Sequence, residues 1–171
     1  MTDRPVVQRR AARVVAVSPG GRVLMLEGGD PDRPHVRIWH MPGGGVEAGE
    51  DDRDAAAREY AEETGVEVEV GPHVWDRQLV FGFNGTTYDQ VELYFLAEVP
   101  DEHAVSTAGH NDIEQLYLTA WRWFSVDELR ALPAADGSVL VAPPDLADRL
   151  EELLRDGPPS SPVEVAGVVL P

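Results

Sequence analysis

The stretch Gly44–Val66, GGVEAGEDDRDAAAREYAEETGV, decides how the rest of the chain is read. Pro42 precedes it, followed by Gly43, Gly44 and Gly45, so a rigid entry meets a permissive backbone. Asp51 carries a side-chain oxygen suited to cap a following helix, and Asp52 and Asp54 suit the positive helix N-terminus. Ala55, Ala56 and Ala57 are strong helix formers, and Gly65 stands where a helix-ending glycine is expected. The pattern predicts a glycine loop followed by a helix from Asp51 to Thr64.

Glu59, Glu62 and Glu63 are spaced i, i+3, i+4, which puts all three on one face of that helix. Like charges so close repel by roughly 0.2–0.5 kcal/mol per i,i+4 pair. A divalent cation bound through oxygen ligands would offset this. Arg58 falls four residues before Glu62 and can also reach back toward Glu50. Taken alone, the string REYAEE reads first as a solvated, salt-bridged helix face.

The whole stretch changes that reading. It resembles the Nudix box, in which Gly, five residues, Glu, seven residues, Arg-Glu, an apolar residue, any residue, Glu-Glu, any residue, Gly and an apolar residue follow in order. Those positions are Gly44, Glu50, Arg58, Glu59, Tyr60, Glu62, Glu63, Gly65 and Val66. Seven fixed identities, at roughly one in fifteen each, give a chance match near one in ~10^8. Trp39 and Pro42 also resemble the usual approach to the loop, while Tyr60 stands where an aliphatic residue is commoner. The resemblance implies an α/β fold, a Nudix-type α/β/α sandwich around a mixed β-sheet.

Composition bounds the alternatives. A chain of 171 residues is long enough for one domain with a sizeable core. It has no cysteine, which excludes disulfides and thiolate chemistry. No N-terminal apolar segment or membrane-length apolar run is present, so a soluble, cytoplasmic protein without a membrane partner is expected. The net charge is −17, and all 14 basic residues are arginine. That balance argues against a nucleic-acid polymer as partner, since a phosphate backbone needs a positive surface. Planar arginines and bound divalent cations would be needed to hold a small phosphorylated substrate.

Residues 1–8 read as a mobile arm, 9–155 as a single domain, and 156–171 as a tail that is either disordered or adds a strand over Val163 to Leu170. Val14–Val17 and Val23–Leu26 flank Ser18-Pro19-Gly20-Gly21, a hairpin pattern. Val36–Trp39 reads as a strand leading into the glycine loop. Val66–Val70 alternates apolar and acidic residues, as a half-buried strand does. Two long runs, Val74–Phe83 and Thr87–Val99, flank the turn signal Asn84-Gly85. Trp121–Phe124 reads as a strand, Ser125 to Glu128 as a capping box, and Asp145–Arg155 as an amphipathic helix.

The resemblance implies hydrolysis of a nucleoside diphosphate linked to another group, with Mg2+ (or Mn2+) as cofactor. It implies that Glu59, Glu62 and Glu63 hold the metal, with the Gly43 backbone carbonyl as a further ligand. Glu50 and Arg58 match positions that tie the loop to the helix and orient the glutamates. The catalytic set so implied is Glu50, Arg58, Glu59, Glu62 and Glu63, and Asp112 or Glu114 is a candidate for the later carboxylate found in some members. By position, Arg10 and Arg77 are candidates for phosphate contact, and Trp39, Phe83 and Tyr88 for stacking a base. The five histidines show no metal-ligand spacing and read as structural or solvent-exposed. Phe81 stands where ADP-ribose hydrolases often carry proline, so the substrate stays open. A homodimer is compatible with the family. The alternative reading is a non-catalytic nucleotide-sensing Nudix domain. An isoprenoid-diphosphate isomerase is disfavoured because it typically uses a cysteine.

Overall fold

Strand β1 (Val6–Val17) is the axis of the molecule in the computed structural model, which describes residues 6–167. Its period of two sends Ala12, Val14 and Ala16 to one side and Val15 and Val17 to the other, and each set joins a separate core. A strand apolar on both faces has to lie inside a sheet covered on both sides. β1 pairs in parallel with β6 (Thr86–Glu98) along its whole length, from Val6↔Thr87 to Val17↔Glu98.

The other strands extend from this pair. β2 (Val23–Asp30) follows β1 as a hairpin, and β3 (Arg33–His40) pairs antiparallel with β2. β5 (His73–Phe83) and β6 form the long hairpin, turning at Asn84-Gly85, where both residues have positive φ. β8 (Val139–Ala142) runs parallel to β3, and with β9 (Val163–Glu164) at the far edge the order is β8-β3-β2-β1-β6-β5-β9, with β4 (Gly43–Gly45) on β1 and β7 (Leu118–Phe124) on β2. The sheet is mixed. Helix α1 (Asp52–Thr64) covers one face through Ala55, Ala56 and Tyr60 against Val14, Leu93 and Phe95. On the other face, α3 (Val126–Ala131) contributes Leu129, and α4 (Leu146–Asp156) contributes Leu146, Leu150 and Leu153. The α/β/α sandwich expected from the sequence is present.

Three local expectations change. Val66, Val68 and Val70 do pack inward, but 66–70 makes no ladder pairing among the described residues and is extended chain rather than sheet. The alternation reports half-burial, which needs no ladder partner. Val6, Val7 and Gln8 of the expected arm are strand residues, because β6 runs far enough to pair with them. In the tail, β9 (Val163–Glu164) pairs in parallel with Trp75 and Asp76, and Val165 is buried beside it; residues 168–171 of the expected terminal strand lie outside the described residues. The short α2 (Asp112–Tyr117) precedes β7 in a segment for which the sequence offered no element. Among the described residues, no helix is long and apolar enough to cross a membrane.

Candidate active site

The glycine loop and α1 are locked together before any ligand is considered. The Asp51 side chain accepts from the Arg53 and Asp54 backbone N–H groups, capping α1, and Gly65 ends it at φ 74°. Tyr60 is fully buried, and its hydroxyl meets His103 Nε2 at 2.8 Å. This contact fastens the helix to the segment after β6 and explains why a tyrosine serves at an apolar position. Arg58 spans the loop: Nε donates to Glu50 Oε1 at 2.8 Å, while Nη2 donates to Glu50 Oε2 and to the Gly45 carbonyl at 3.0 Å each. Its Nη1 donates to Glu59 Oε1 at 3.0 Å. The Arg58 hydrogen bonds hold the Glu50 carboxyl down at about 2.

Three carboxylates gather at the end of this frame. One oxygen each from Glu59, Glu63 and Glu114 lies within 4.8 Å of the others. Glu63 is buried, and the Gly43 N–H donates to its Oε2 at 2.8 Å. Burial pushes the Glu63 carboxyl up to about 8, against the pull of that N–H and of Arg13. Burial also raises the Glu59 carboxyl, opposed by the bond from Arg58. Such a cluster of hard oxygen donors could hold a divalent cation. His110 Nε2 meets the Glu63 carbonyl at 2.7 Å and fixes the approach to α2, which carries Glu114.

β4 is a thin partition. On one side, a Cβ on Gly44 would stand 2.5 Å from Glu59 Cδ and 2.8 Å from its Oε1. On the other, a Cβ on Gly45 would meet Arg9 Nη2 at 3.3 Å. Beyond Gly45 opens a cavity of about 330 Å³ whose walls include Ile38, Leu79, Phe81, Phe83 and Leu140. That size and apolar lining suit a small organic ligand. Its floor is a buried ionic network: Glu92 accepts from Arg13 Nε at 2.8 Å, Arg77 Nη1 at 3.2 Å, Gln90 Nε2 at 2.8 Å and the Tyr94 hydroxyl at 2.5 Å. Burial disfavours the Glu92 charge, but Arg13 and Arg77 outweigh it and hold its carboxyl down at about 2. Arg9 stands at the mouth between the two compartments, with its guanidinium over the Tyr88 ring at 5.6 Å. It makes no ion pair among the described residues, and burial followed by Arg13 lowers its pKa.

The residues singled out from sequence sort unevenly. Glu59 and Glu63 come together, and Glu114 joins them. Asp112 is exposed and lies outside the group. Glu62 is also outside it, half exposed and 3.5 Å from Arg58 Nη1. The Gly43 carbonyl accepts from Arg13 Nη1 at 3.2 Å, so only its second lone pair is left for a metal, while its N–H orders Glu63. Arg10 pairs with Asp52 at the start of α1 and does not line the cavity. Arg77 is in the cavity floor, its charge already met by Glu92 and its Nε by the Ala166 carbonyl. Trp39 is core, edge-on to Phe124 at 4.9 Å, so it has no face free for a base. Tyr88 stacks on Phe81 at 5.4 Å and supports Arg9. Phe83 does line the cavity. The sequence offers Arg9, Arg10 and Arg13 together at the start of the first strand, and of these its reading took Arg10, whereas Arg9 and Arg13 line the cavity. The strand period separates Arg10 from the other two, but with apolar residues on both faces of β1 it does not say which face carries the site.

The NUDIX domain family profile matches residues 7–142. The chain is 31% identical over 136 residues to the RNA pyrophosphohydrolase of Erythrobacter litoralis, covering 72% of this chain and 80% of that one. It is 48% identical over 61 residues to the RNA pyrophosphohydrolase of Dinoroseobacter shibae, a match that spans only 36% of either chain. Among solved structures, a MutT protein from Methanosarcina mazei superposes with a TM-score of 0.61 at 18% identity, over 91% of this chain and 100% of that one. A C. elegans Ap4A hydrolase does so with 0.59 at 22%, over 86% and 98%. The loop-helix frame, the carboxylates it aims and the profile match over most of the length agree, and the chain belongs to the Nudix hydrolase family of pyrophosphatases.

Proposed function

We propose that this chain hydrolyses a phosphoanhydride bond in a small nucleotide-type substrate, with Mg2+ or Mn2+ held by Glu59, Glu63 and Glu114. The observation that carries the reading is the carboxylate group set one glycine strand away from an apolar cavity. A divalent cation supplies charge neutralisation at the phosphate oxygens and a water of lowered pKa. Arg58 holds Glu59 in place by a fixed fork, and the Gly43 N–H does the same for Glu63. Arg9 meets a phosphate oxygen as the substrate crosses from cavity to carboxylates, since it lines the cavity there and makes no ion pair among the described residues. Water oxygen attacks phosphorus, the bridging P–O bond breaks, and a carboxylate of the group takes the proton of the water.

The names of the relatives raise the 5′ end of RNA as a second substrate class. A net charge of −17 favours free nucleotides over a polymer. The test is product release from nucleoside triphosphates, nucleotide sugars, ADP-ribose, dinucleoside polyphosphates and a 5′-triphosphorylated oligoribonucleotide, with Mg2+ or Mn2+ and with chelator. Turnover of a free nucleotide that stops on chelation and in Glu63→Gln supports the proposal. Glu63→Gln keeps an oxygen for the Gly43 N–H, so its fold is expected to persist. Tight binding of one member with no turnover of any would favour the nucleotide-sensing alternative.

A further inference from the structure

His40 is the last residue of β3, directly before the glycine loop, and it lines the cavity rather than the carboxylate side. Its Nδ1 lies 3.1 Å from the Met41 carbonyl. A carbonyl only accepts, so Nδ1 carries the hydrogen and Nε2 is left as a bare acceptor. Arg13 Nη1 is 3.5 Å from Nδ1, but its closer partners are the Met41 and Gly43 carbonyls at 3.1 and 3.2 Å. Nε2 has no hydrogen-bond partner among the described residues. Burial, and then the Arg13 charge, hold the imidazole pKa down at about 4, so the ring is neutral near pH 7. A second acceptor, Gln90 Oε1, is buried in the same floor without a partner among the described residues. The floor thus offers two acceptors, beside Arg13 Nε and Arg77 Nη1, which donate to Glu92.

Gly28 faces Ile38 in the β2–β3 ladder, diagonally from His40, whose direct partner is Leu26, and it also lines the cavity. A Cβ there would stand 3.2 Å from His40 Nε2 and 3.6 Å from Cδ2. The φ of Gly28 is ordinary, so no backbone requirement keeps it glycine. What the missing side chain does is leave the Nε2 edge of the imidazole uncovered. Apolar walls that include Phe81 and Phe83, a bare ring nitrogen on the floor and an unpaired arginine at the mouth form a graded site. It suits a flat heteroaromatic ring with a phosphate at one end.

We infer that the cavity holds the nucleobase of the substrate and that His40 Nε2 reads it by accepting a base N–H, making His40 a specificity-determining residue. The inference rests on the proposed nucleotide substrate but not on turnover. It excludes from that position a ring presenting only a carbonyl or a methyl group, since a neutral acceptor facing another acceptor is left unpaired.

The test is binding of AMP, GMP, CMP and UMP, each beside its N-methylated counterpart, by titration in chelator, so that the carboxylate side does not contribute. Wild-type protein is expected to prefer one base and to bind its N-methylated form roughly tenfold or more weakly. His40→Phe keeps the ring and removes the acceptor, so the two forms should bind alike. His40→Gln puts an amide near the Nε2 position and should restore part of the difference. Gly28→Ala covers Nε2 while leaving His40 in place and should weaken the preferred base on its own, which keeps the test informative if His40→Phe does not fold. Equal binding of methylated and unmethylated forms by wild type, an unchanged preference in both His40→Phe and Gly28→Ala, or no binding of any monophosphate would overturn the inference. The two readings fail separately. Metal-dependent turnover indifferent to His40 and Gly28 would remove the inference and leave the hydrolase. His40-dependent base binding without turnover would do the reverse.

Discussion

Gly44→Ala is the substitution for which the structure gives the sharpest expectation. Gly44 has an ordinary φ, so alanine is allowed by the backbone. Its Cβ, however, would lie 2.5 Å from Glu59 Cδ and 2.8 Å from Oε1, and real Cβ atoms essentially never come within 3.0 Å of such neighbours. The Glu59 carboxylate must therefore retreat by about half an ångström or more, an amount that matters because a misplacement near 1 Å at a reacting centre costs about 10²-fold in rate. Arg58 Nη1, 3.0 Å away, resists that movement, so the bond from Arg58 weakens as well. The fold loses little, since the clash is with the end of a side chain, and unfolding free energy should stay within about 1 kcal/mol of wild type. We expect kcat to fall roughly 10- to 100-fold and the metal concentration for half-maximal rate to rise. Both come from steady-state rates over a Mn2+ titration, with urea unfolding as the control. Wild-type kcat and metal dependence in Gly44→Ala would refute the claim that β4 sets the position of Glu59.

Arg58→Lys keeps the charge and loses the fork that joins Glu50, the Gly45 carbonyl and Glu59. Its rate is expected to drop about 10- to 100-fold with metal affinity reduced, measured as for Gly44→Ala; a rate near wild type would show that the glutamates are aimed without it. Stability should respond to pH at two carboxyls with opposite sign. Glu92, held at about 2, contributes stability that is full above its ordinary value near 4.5 and is lost as pH falls through 2. In metal-free protein Glu63, raised to about 8, contributes stability that is full below about 4.5 and is lost as pH rises through 8. Urea unfolding should show a shallower acid loss in Glu92→Gln and a shallower alkaline loss in Glu63→Gln, and unchanged slopes in both would refute these assignments.

Where a local rule decides the structure, the residues announced it. Asp51 and Gly65 bound α1, Asn84-Gly85 turns the long hairpin, and Ser125 with Glu128 forms the reciprocal capping box that starts α3. The loop-helix frame was legible for the same reason, because Glu50, Arg58, Glu59 and Glu63 sit at short fixed separations. What the residues do not announce is pairing across distance. Glu114 joins Glu59 and Glu63 because the segment leading into α2 is fastened to α1, His110 on the Glu63 carbonyl, and nothing local separates it from Asp112. Arg77 reads from sequence as a candidate for phosphate contact, but Glu92 stands directly opposite it in the β5–β6 ladder and takes its charge. His40 reads as scattered until its neighbour Gly28, on another strand, is in view.

The parallel seam between β1 and β6 has a consequence for how the protein acquires its site. Val6 and Thr87 are separated by 81 residues, yet they are adjacent in the sheet, and every residue of β1 has its partner at a similar remove. Contacts of that sequence separation close slowly, because the chain entropy of the loop is lost before any pairing rewards it. β6 carries Glu92, which anchors Arg13, and Leu93 and Phe95, against which α1 packs. Neither the cavity floor nor the seat of the carboxylate helix exists until that strand arrives. On a ribosome, residues 6–85 would emerge with the sequence of α1 complete and its geometry unmade; α1 gains its seat only once the Thr86–Glu98 segment clears the exit tunnel, and Glu114 and the Leu140 wall of the cavity arrive later still.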